Sequence, residues 1–174
     1  HNALVFATLA SLAEQGFQRI VVWRGCGGHD LRDAVNRFND EYKGKSETFL
    51  PGLPYNDIWC RIGDPSVPGG HADSFSTSIA LHLRPESVRT DKIVDPGHGE
   101  IDWQDPEIDF TTYSSTGVIG NPTQASAALG AQLWEAVVEE AAAKLRSIAE
   151  NNQTSDAVDS DRLHFLRRSS DEGT

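Results

Sequence analysis

Apolar residues recur at two spacings along this chain, and the spacings predict alternating helices and strands. From about Ala3 to Gln15 the spacing is helical, and Gly16 follows as a stop signal. The β-branched run from Phe17 to Trp23 predicts a buried strand. A second amphipathic helix is predicted over residues 30–39. Its apolar face is formed by Leu31, Val35 and Phe38.

The middle of the chain changes pattern several times over short distances. Residues 47–54 are predicted to be extended, with a turn around Asn56-Asp57 and a short apolar segment over 58–62. Glycines and prolines predict a loop over residues 63–70, and the next helix runs through Leu83 until Pro85 ends it. Residues 92–110 show no period, so they are interpreted as an extended surface loop.

Helical spacing returns near the C-terminus. Asn121 can cap a helix, Pro122 suits its first position and Gln124 can reach back to the cap. A long helix that packs on the sheet follows, with an apolar stripe of Leu129, Leu133, Val137, Ala141, Leu145 and Ile148. The pattern as a whole predicts one α/β domain over residues 1–150, with a mostly parallel sheet flanked by helices. Residues 151–174 are polar, and we interpret them as a mobile tail.

Composition excludes several classes of function. A formal charge of −11 argues against nucleic acid and anionic membranes as partners, since both attract clustered Lys and Arg. No apolar run approaches the roughly 20 residues needed to cross a bilayer, and no signal peptide is evident, so a cytoplasmic location is predicted. The two cysteines are isolated and are interpreted as reduced thiols. The chain has no Met and begins within a helical pattern, which favours a piece of a longer domain.

Two glycine-flanked histidine segments, residues 23–30 and 69–78, stand at expected strand ends. Glycines there allow a bound group to approach the backbone closely, as at the sites of open α/β sheets. We therefore expect the thiol of Cys26 and the imidazoles of His29 and His71 to lie around one hollow.

Purely structural interpretations of the same residues stay open. Cys26 can be a small buried filler, His29 can simply precede a helix that Asp30 begins, and His71 can be a capping residue. The carboxylates between Asp95 and Asp109 fit no EF-hand spacing, so solvated surface is the favoured interpretation there.

Four segments in this order resemble the creatininase, or creatinine amidohydrolase, family over roughly residues 1–150. They are Arg24-Gly-Cys-Gly-Gly-His29, His71-Ala-Asp-Ser-Phe-Ser-Thr-Ser78, Leu83-Arg84-Pro85 and Gly117-Val-Ile-Gly-Asn-Pro-Thr-Gln-Ala-Ser126. The resemblance implies the C-terminal two-thirds of the family's α/β domain. It also implies metal-dependent hydrolysis of a C–N bond in a cyclic or related amide, with two divalent ions, zinc or manganese, in a full-length form. The resemblance further implies a homo-oligomer, commonly a hexamer.

Carried over position by position, the family's first-motif histidine ligand falls on Cys26 and its final asparagine on His29. Both types bind zinc well, so the resemblance implies Cys26 and His29 as metal ligands. The family's second-motif histidine is retained as His71, the candidate for proton transfer or substrate orientation. Asp73, which stands where the family has glycine, is the second catalytic candidate. Ser76 stands where the family has glutamate. The predicted substrate-facing positions are Gly27, Gly28 and Ser76. The remaining ligands are expected upstream of His1.

Three hypotheses follow. The first is a creatininase-like, metal-dependent amidohydrolase acting on a small-molecule amide. The second is a catalytically silent relative that serves as a binding or assembly subunit, suggested by the changed residue types at Cys26 and Ser76. The third is a metal-free thiol hydrolase in which Cys26 is the nucleophile and His29 or His71 the base.

Overall fold

A computed structural model of the chain describes residues 1–25, 30–67, 69–95 and 109–150. These residues divide into two compact units, 1–53 with 142–150, and 54–141. The elements in chain order are α1 (Asn2–Glu14), β1 (Arg19–Val21), α2 (Arg32–Glu41), β2 (Glu47–Phe49), α3 (Tyr55–Ile62), α4 (Ser74–Leu83), α5 (Phe110–Tyr113) and α6 (Ala127–Glu150). Two 3₁₀ turns, Pro85–Ser87 and Thr90–Lys92, follow α4.

The first unit is built on a β-α-β arrangement. Strands β1 and β2 pair in parallel, with Arg19 opposite Glu47 and Val21 opposite Phe49. Parallel neighbours need a crossover connection, and α2 lies in the chain between the two strands. The predicted α/β class with a parallel sheet is confirmed, as are the predicted helices at α1 and α2.

Aromatic packing forms the centre of this unit. Phe38 is completely buried and stacks on Tyr42 with ring centroids 4.6 Å apart, while the edge of Phe6 meets it at 6.3 Å. The other buried members of this core are Leu9, Ala13, Ile20, Val35 and Leu50. Helix α2 therefore buries the face that its periodicity predicts, with Val35 and Phe38 innermost.

The two strands of this sheet have different surroundings. The Asn39 carboxamide closes the outer edge of β2, since it donates to the Thr48 carbonyl at 2.9 Å and accepts from the Thr48 N–H at 2.7 Å. In β1 only Ile20 is buried, and Val21 and Trp23 are exposed. The prediction of a buried strand over 17–23 is therefore wrong for most of its side chains. Among the described residues, β2 is the only strand that pairs with β1.

The second unit has a core of helices. Ile58 and Trp59 of α3 pack with Leu133 and Ala136 of α6, all of them buried. The turn predicted at Asn56-Asp57 is wrong, because both residues lie in the first turn of α3. The apolar pair Ile58 and Ile62 has i, i+4 spacing, and burial of that face outweighs the turn preference of Asn-Asp.

Helix α6 begins later than its capping signal predicts. The Asn121 carboxamide oxygen accepts from the Thr123 N–H and hydroxyl, which closes a local turn. Ser126 caps the helix instead, as its hydroxyl accepts from the Leu129 N–H at 3.1 Å. Leu133 of the predicted stripe is completely buried, but Leu145 is 44% exposed, so the stripe is core only in part.

Several predictions fall on other parts of the chain. Residues 96–108 of the predicted loop and the predicted tail 151–174 lie outside the described residues. The domain boundary at 150 stays a prediction. Across the described ranges, no helix has both the length and the apolar character needed to cross a bilayer.

Candidate functional site

His71 lies on the surface of the second unit, where a short extended segment meets the start of α4. Its N–H donates to the Ile119 carbonyl at 2.5 Å, and the Ile119 N–H donates back to the His71 carbonyl at 2.8 Å. The ring is held as well, because Nδ1 lies 2.7 Å from the Gly117 carbonyl oxygen. Three hydrogen bonds thus attach one exposed histidine to residues 117–119.

The bond to Gly117 determines which ring nitrogen carries the proton. A carbonyl oxygen can only accept, so Nδ1 must be the donor in this contact. The neutral imidazole then has its lone pair on Nε2, and the protonated ring has an acidic N–H there. His71 is therefore oriented to exchange a proton through Nε2.

The turn between His71 and α4 is fixed by Asp73. Ala72 has φ +57°, a left-handed conformation that is uncommon for a residue with a Cβ. Asp73 follows as the N-cap, and its carboxylate accepts from the Ser76 N–H and hydroxyl and from the Gly70 N–H. Only 4% of Asp73 is exposed. Its oxygens thus hold residues 70–76 in the turn that presents His71.

Two buried serines of α4 attach the following segment of chain to this helix. Ser74 donates to the Asn121 carbonyl at 2.6 Å, and one turn later the Ser78 hydroxyl accepts from the Ser126 N–H at 3.2 Å. The helices also approach closely at Gly130, where a Cβ would lie 1.9 Å from the Ser78 carbonyl oxygen. Residues 117–130 are therefore held against α4 along its length.

The structure describes some of the predicted site residues and not others. Cys26, Gly27, Gly28 and His29 lie outside the described residues, so their convergence with His71 stays a prediction. His71 and Ser76 are exposed, and Ser76 bonds to Asp73. Asp30 accepts from the Arg32 N–H at 3.0 Å, which agrees with a structural role for that carboxylate at the start of α2.

Metal-ligating side chains are dispersed in the described part of the chain. It contains no group of three or more His, Cys, Asp or Glu that could hold an ion. The Nδ1 atom of His71 and the carboxylate of Asp73 already have partners. The described residues therefore do not by themselves fit a divalent ion, and a metal site at Cys26 and His29 stays a prediction.

Sequence reasoning assigned no role to Ser74, Ser78, Gly117 or Gly130. Gly117 belongs to a segment that carries the family resemblance, but its carbonyl contact with a ring 46 residues earlier has no local signal. The i, i+4 spacing of Ser74 and Ser78 on one buried helix face is the available hint, since small polar side chains there need partners.

The chain is similar to known proteins in both sequence and structure. The family model for creatininase, described as creatinine amidohydrolase, matches residues 2–145. A mycofactocin precursor peptide peptidase of Mycolicibacterium smegmatis is 26% identical over 137 residues, which are 77% of this chain and 51% of the relative. The corresponding peptidase of Mycobacterium tuberculosis is 34% identical over 87 residues, 47% of this chain and 34% of the relative.

The fold of the chain is similar to that of solved creatininases. A creatininase variant complexed with creatine superposes with a TM-score of 0.71 at 20% identity, over 86% of this chain and 65% of that chain. The present chain spans about half the length of the first curated relative and under two-thirds of this structure. At this identity the likeness concerns the fold.

Proposed function

Because the chain belongs to the creatininase family, we propose that the protein hydrolyses the C–N bond of an amide and that His71 transfers the proton. The observation that carries this proposal is the hydrogen bond from His71 Nδ1 to the Gly117 carbonyl, which leaves Nε2 as the proton-exchanging nitrogen of an exposed residue. A histidine held in this way can act as a general acid or base near neutral pH.

The proton transfer meets a specific chemical need. Amide nitrogen leaves poorly as an anion, so it must gain a proton as the C–N bond breaks. The Nε2–H of protonated His71 supplies that proton, and the neutral ring can later recover one from water. Such catalysis contributes on the order of 10²- to 10⁴-fold in rate. Asp73 acts in this scheme by holding the turn that carries His71.

The finer part of the proposal concerns a divalent metal, zinc or manganese. Solved creatininases include a zinc form and a manganese form. In this chain Cys26 and His29 are the proposed ligands, and neither is among the described residues. When bound, a divalent ion would make a water molecule acidic enough to lose a proton near neutral pH and so to act as the nucleophile. The residues described here contribute the proton relay and its support.

The proposed substrate is a small cyclic or related amide, with Gly27, Gly28 and Ser76 facing it. The names of the relatives suggest a second substrate class. A creatininase binds creatine in one structure, and the curated relatives are peptidases of a precursor peptide. A peptide amide is therefore the second candidate. In both cases the reaction is addition of water to an amide carbonyl and departure of an amine.

The experiment uses protein produced from its complete coding sequence. Metal content is measured by mass spectrometry, and cyclic amides, formamides and short peptides are tested as substrates, with His71→Ala beside the wild type. We expect one to two bound divalent ions and turnover that falls on the order of 10²-fold or more in His71→Ala. A protein that binds no divalent ion and cleaves none of these amides overturns the proposal.

The same assay separates the alternatives. A chelator abolishes a metal-dependent activity, whereas a thiol hydrolase that uses Cys26 resists the chelator and is inactivated by an alkylating reagent. A silent relative that acts as a binding or assembly subunit shows no turnover under any of these conditions. Homo-oligomeric assembly, with a hexamer as the expected state, and a cytoplasmic location are further parts of the proposal. Light scattering tests the first and cell fractionation the second.

A further inference from the structure

Residues 117–121 have an attachment to α4 that His71 itself does not provide. The Ser74 hydroxyl donates to the Asn121 carbonyl at 2.6 Å, and only 1% of Ser74 is exposed. At the other end of this segment, the Gly117 carbonyl accepts from His71 Nδ1. The carbonyl that orients the ring therefore belongs to a segment whose far end is held by Ser74.

The geometry of this segment makes its position sensitive to that bond. Gly117 has φ +81° and Gly120 has φ +118°, conformations that an L residue rarely adopts. Between its two ends the segment pairs with His71 at the Ile119 bridge, and the Asn121 carboxamide donates to Asp95 at 2.8 Å. The position of the Gly117 carbonyl then depends on the attachments at both ends.

We propose that Ser74 is a positioning residue, which holds residues 117–121 so that the Gly117 carbonyl keeps His71 in the Nδ1–H form with Nε2 as the reacting nitrogen. Ser74 acts through Asn121 and Gly117 and does not touch substrate. The catalytic consequence rests on the proposed function above. The effect on the tautomer of His71 does not depend on any activity.

A purely structural role for Ser74 is the competing explanation, and Ser78 provides the matched control. Both serines lie on α4, one turn apart, and both are buried and hydrogen-bonded to backbone of the segment that leads into α6. Ser78 bonds at Ser126, beyond the part of the chain that contacts His71. Loss of either buried hydroxyl leaves one backbone group without its partner, so both substitutions should lower stability similarly.

The experiment compares Ser74→Ala with Ser78→Ala by ring ¹⁵N NMR of histidine-labelled protein at a pH where His71 is neutral. In the wild type we expect the Nδ1–H form of His71 to dominate. In Ser74→Ala the ratio of Nδ1–H to Nε2–H should fall about fivefold, the size of one ordinary hydrogen bond. In Ser78→Ala the ratio should stay within twofold of the wild type, although urea midpoints fall in both variants.

Equal ratios of Nδ1–H to Nε2–H in Ser74→Ala and Ser78→Ala overturn the proposal, whether or not they differ from the wild-type ratio. If Ser74→Ala does not fold, Gly117→Ala decides. A Cβ at Gly117 would meet no atom within 4 Å, so its effect comes through the strained φ alone. A Gly117→Ala protein with the wild-type tautomer ratio also overturns the proposal.

Kinetics then test the link to catalysis. With any amide that the wild type cleaves, Ser74→Ala should lower kcat about fivefold with KM within twofold, while Ser78→Ala leaves kcat within twofold. Unchanged kcat in Ser74→Ala contradicts the catalytic part of the inference. Absence of wild-type turnover contradicts the proposed function, and the tautomer measurement still decides the role of Ser74.

Discussion

Gly130→Ala should destabilise this protein, although the same change in an exposed helix is usually favourable. Gly130 is buried within α6, where the helix crosses α4. Alanine has a better helix propensity than glycine by about 1 kcal/mol, so propensity alone predicts a stabilised variant. The tertiary contact predicts the opposite sign.

The size of the effect follows from three distances. The added methyl would lie 1.9 Å from the Ser78 carbonyl oxygen, 2.5 Å from its carbon and 2.9 Å from the His82 Cβ. The first two atoms belong to backbone, so no side-chain rotation can relieve the overlap. Overpacking of this kind costs about 1–3 kcal/mol, and backbone overlap belongs at the upper end of that range. After the propensity gain, we expect a net loss of about 2 kcal/mol.

The assay is equilibrium urea unfolding followed by far-UV circular dichroism. The matched control is Ala128→Gly, two residues earlier at an exposed position of the same helix, where removal of a methyl should cost about 1 kcal/mol through propensity. In both variants the midpoint should fall with little change in the slope. Addition of a methyl at residue 130 and removal of one at residue 128 should thus both lower stability.

A Gly130→Ala protein that is as stable as the wild type, or more stable, would refute this reasoning. That result would mean that α6 and α4 do not approach each other as closely as Gly130 and Ser78 indicate. The attachment of residues 117–130 to α4 would then need another explanation.

Three further predictions concern other parts of the structure. Phe38→Ala should lower the free energy of unfolding by about 3–5 kcal/mol, because it removes a completely buried ring from the first unit. A free energy of unfolding from chemical denaturation that lies within about 1 kcal/mol of the wild type would contradict this. Asp73→Ala should lower the free energy of unfolding by about 2–3 kcal/mol, because the N-cap and the acceptor for the Gly70 N–H are both lost. Asp73→Asn keeps Oδ1 as the cap, so it should lower stability by less. Equal losses of stability in the two variants would contradict a separate contribution from the bond to Gly70. The hydroxyl and N–H of Thr111 donate to Asp109 and hold the pKa of that carboxyl below its ordinary value, so its contribution to stability is present above the ordinary pKa and is lost as the pH falls through the lowered one. Thr111→Ala should raise the pKa of Asp109 in a ¹³C NMR titration, and an unchanged pKa would contradict the assigned cause.

The success of sequence reasoning varied with the range of the interactions involved. Helix α4 could be predicted because its stop signal, Pro85, is local, and α2 because Val35 and Phe38 have the spacing of one helix face. The turn predicted at Asn56-Asp57 was wrong because burial of Ile58 and Trp59 outweighed the local preference. At α6 the local signal of Asn121 was real, but it closes a turn of its own and leaves the cap to Ser126.

The candidate site shows the same division. His71 could be selected from its motif, and the family from four ordered segments; the family-model match over residues 2–145 confirms the family. The roles of Ser74 and Gly117 could not be foreseen, because each depends on a partner more than 40 residues away. The proposed metal ligands Cys26 and His29 stay predictions.

The sequence by itself determined the class of the fold, the positions of most helices and the family, because periodicity, caps and motifs act between residues that are close along the chain. The tertiary structure decided which nitrogen of His71 carries the proton, which backbone group each buried serine binds and why residue 130 must lack a side chain. These features depend on contacts between distant residues, and packing of the folded chain alone brings such residues together.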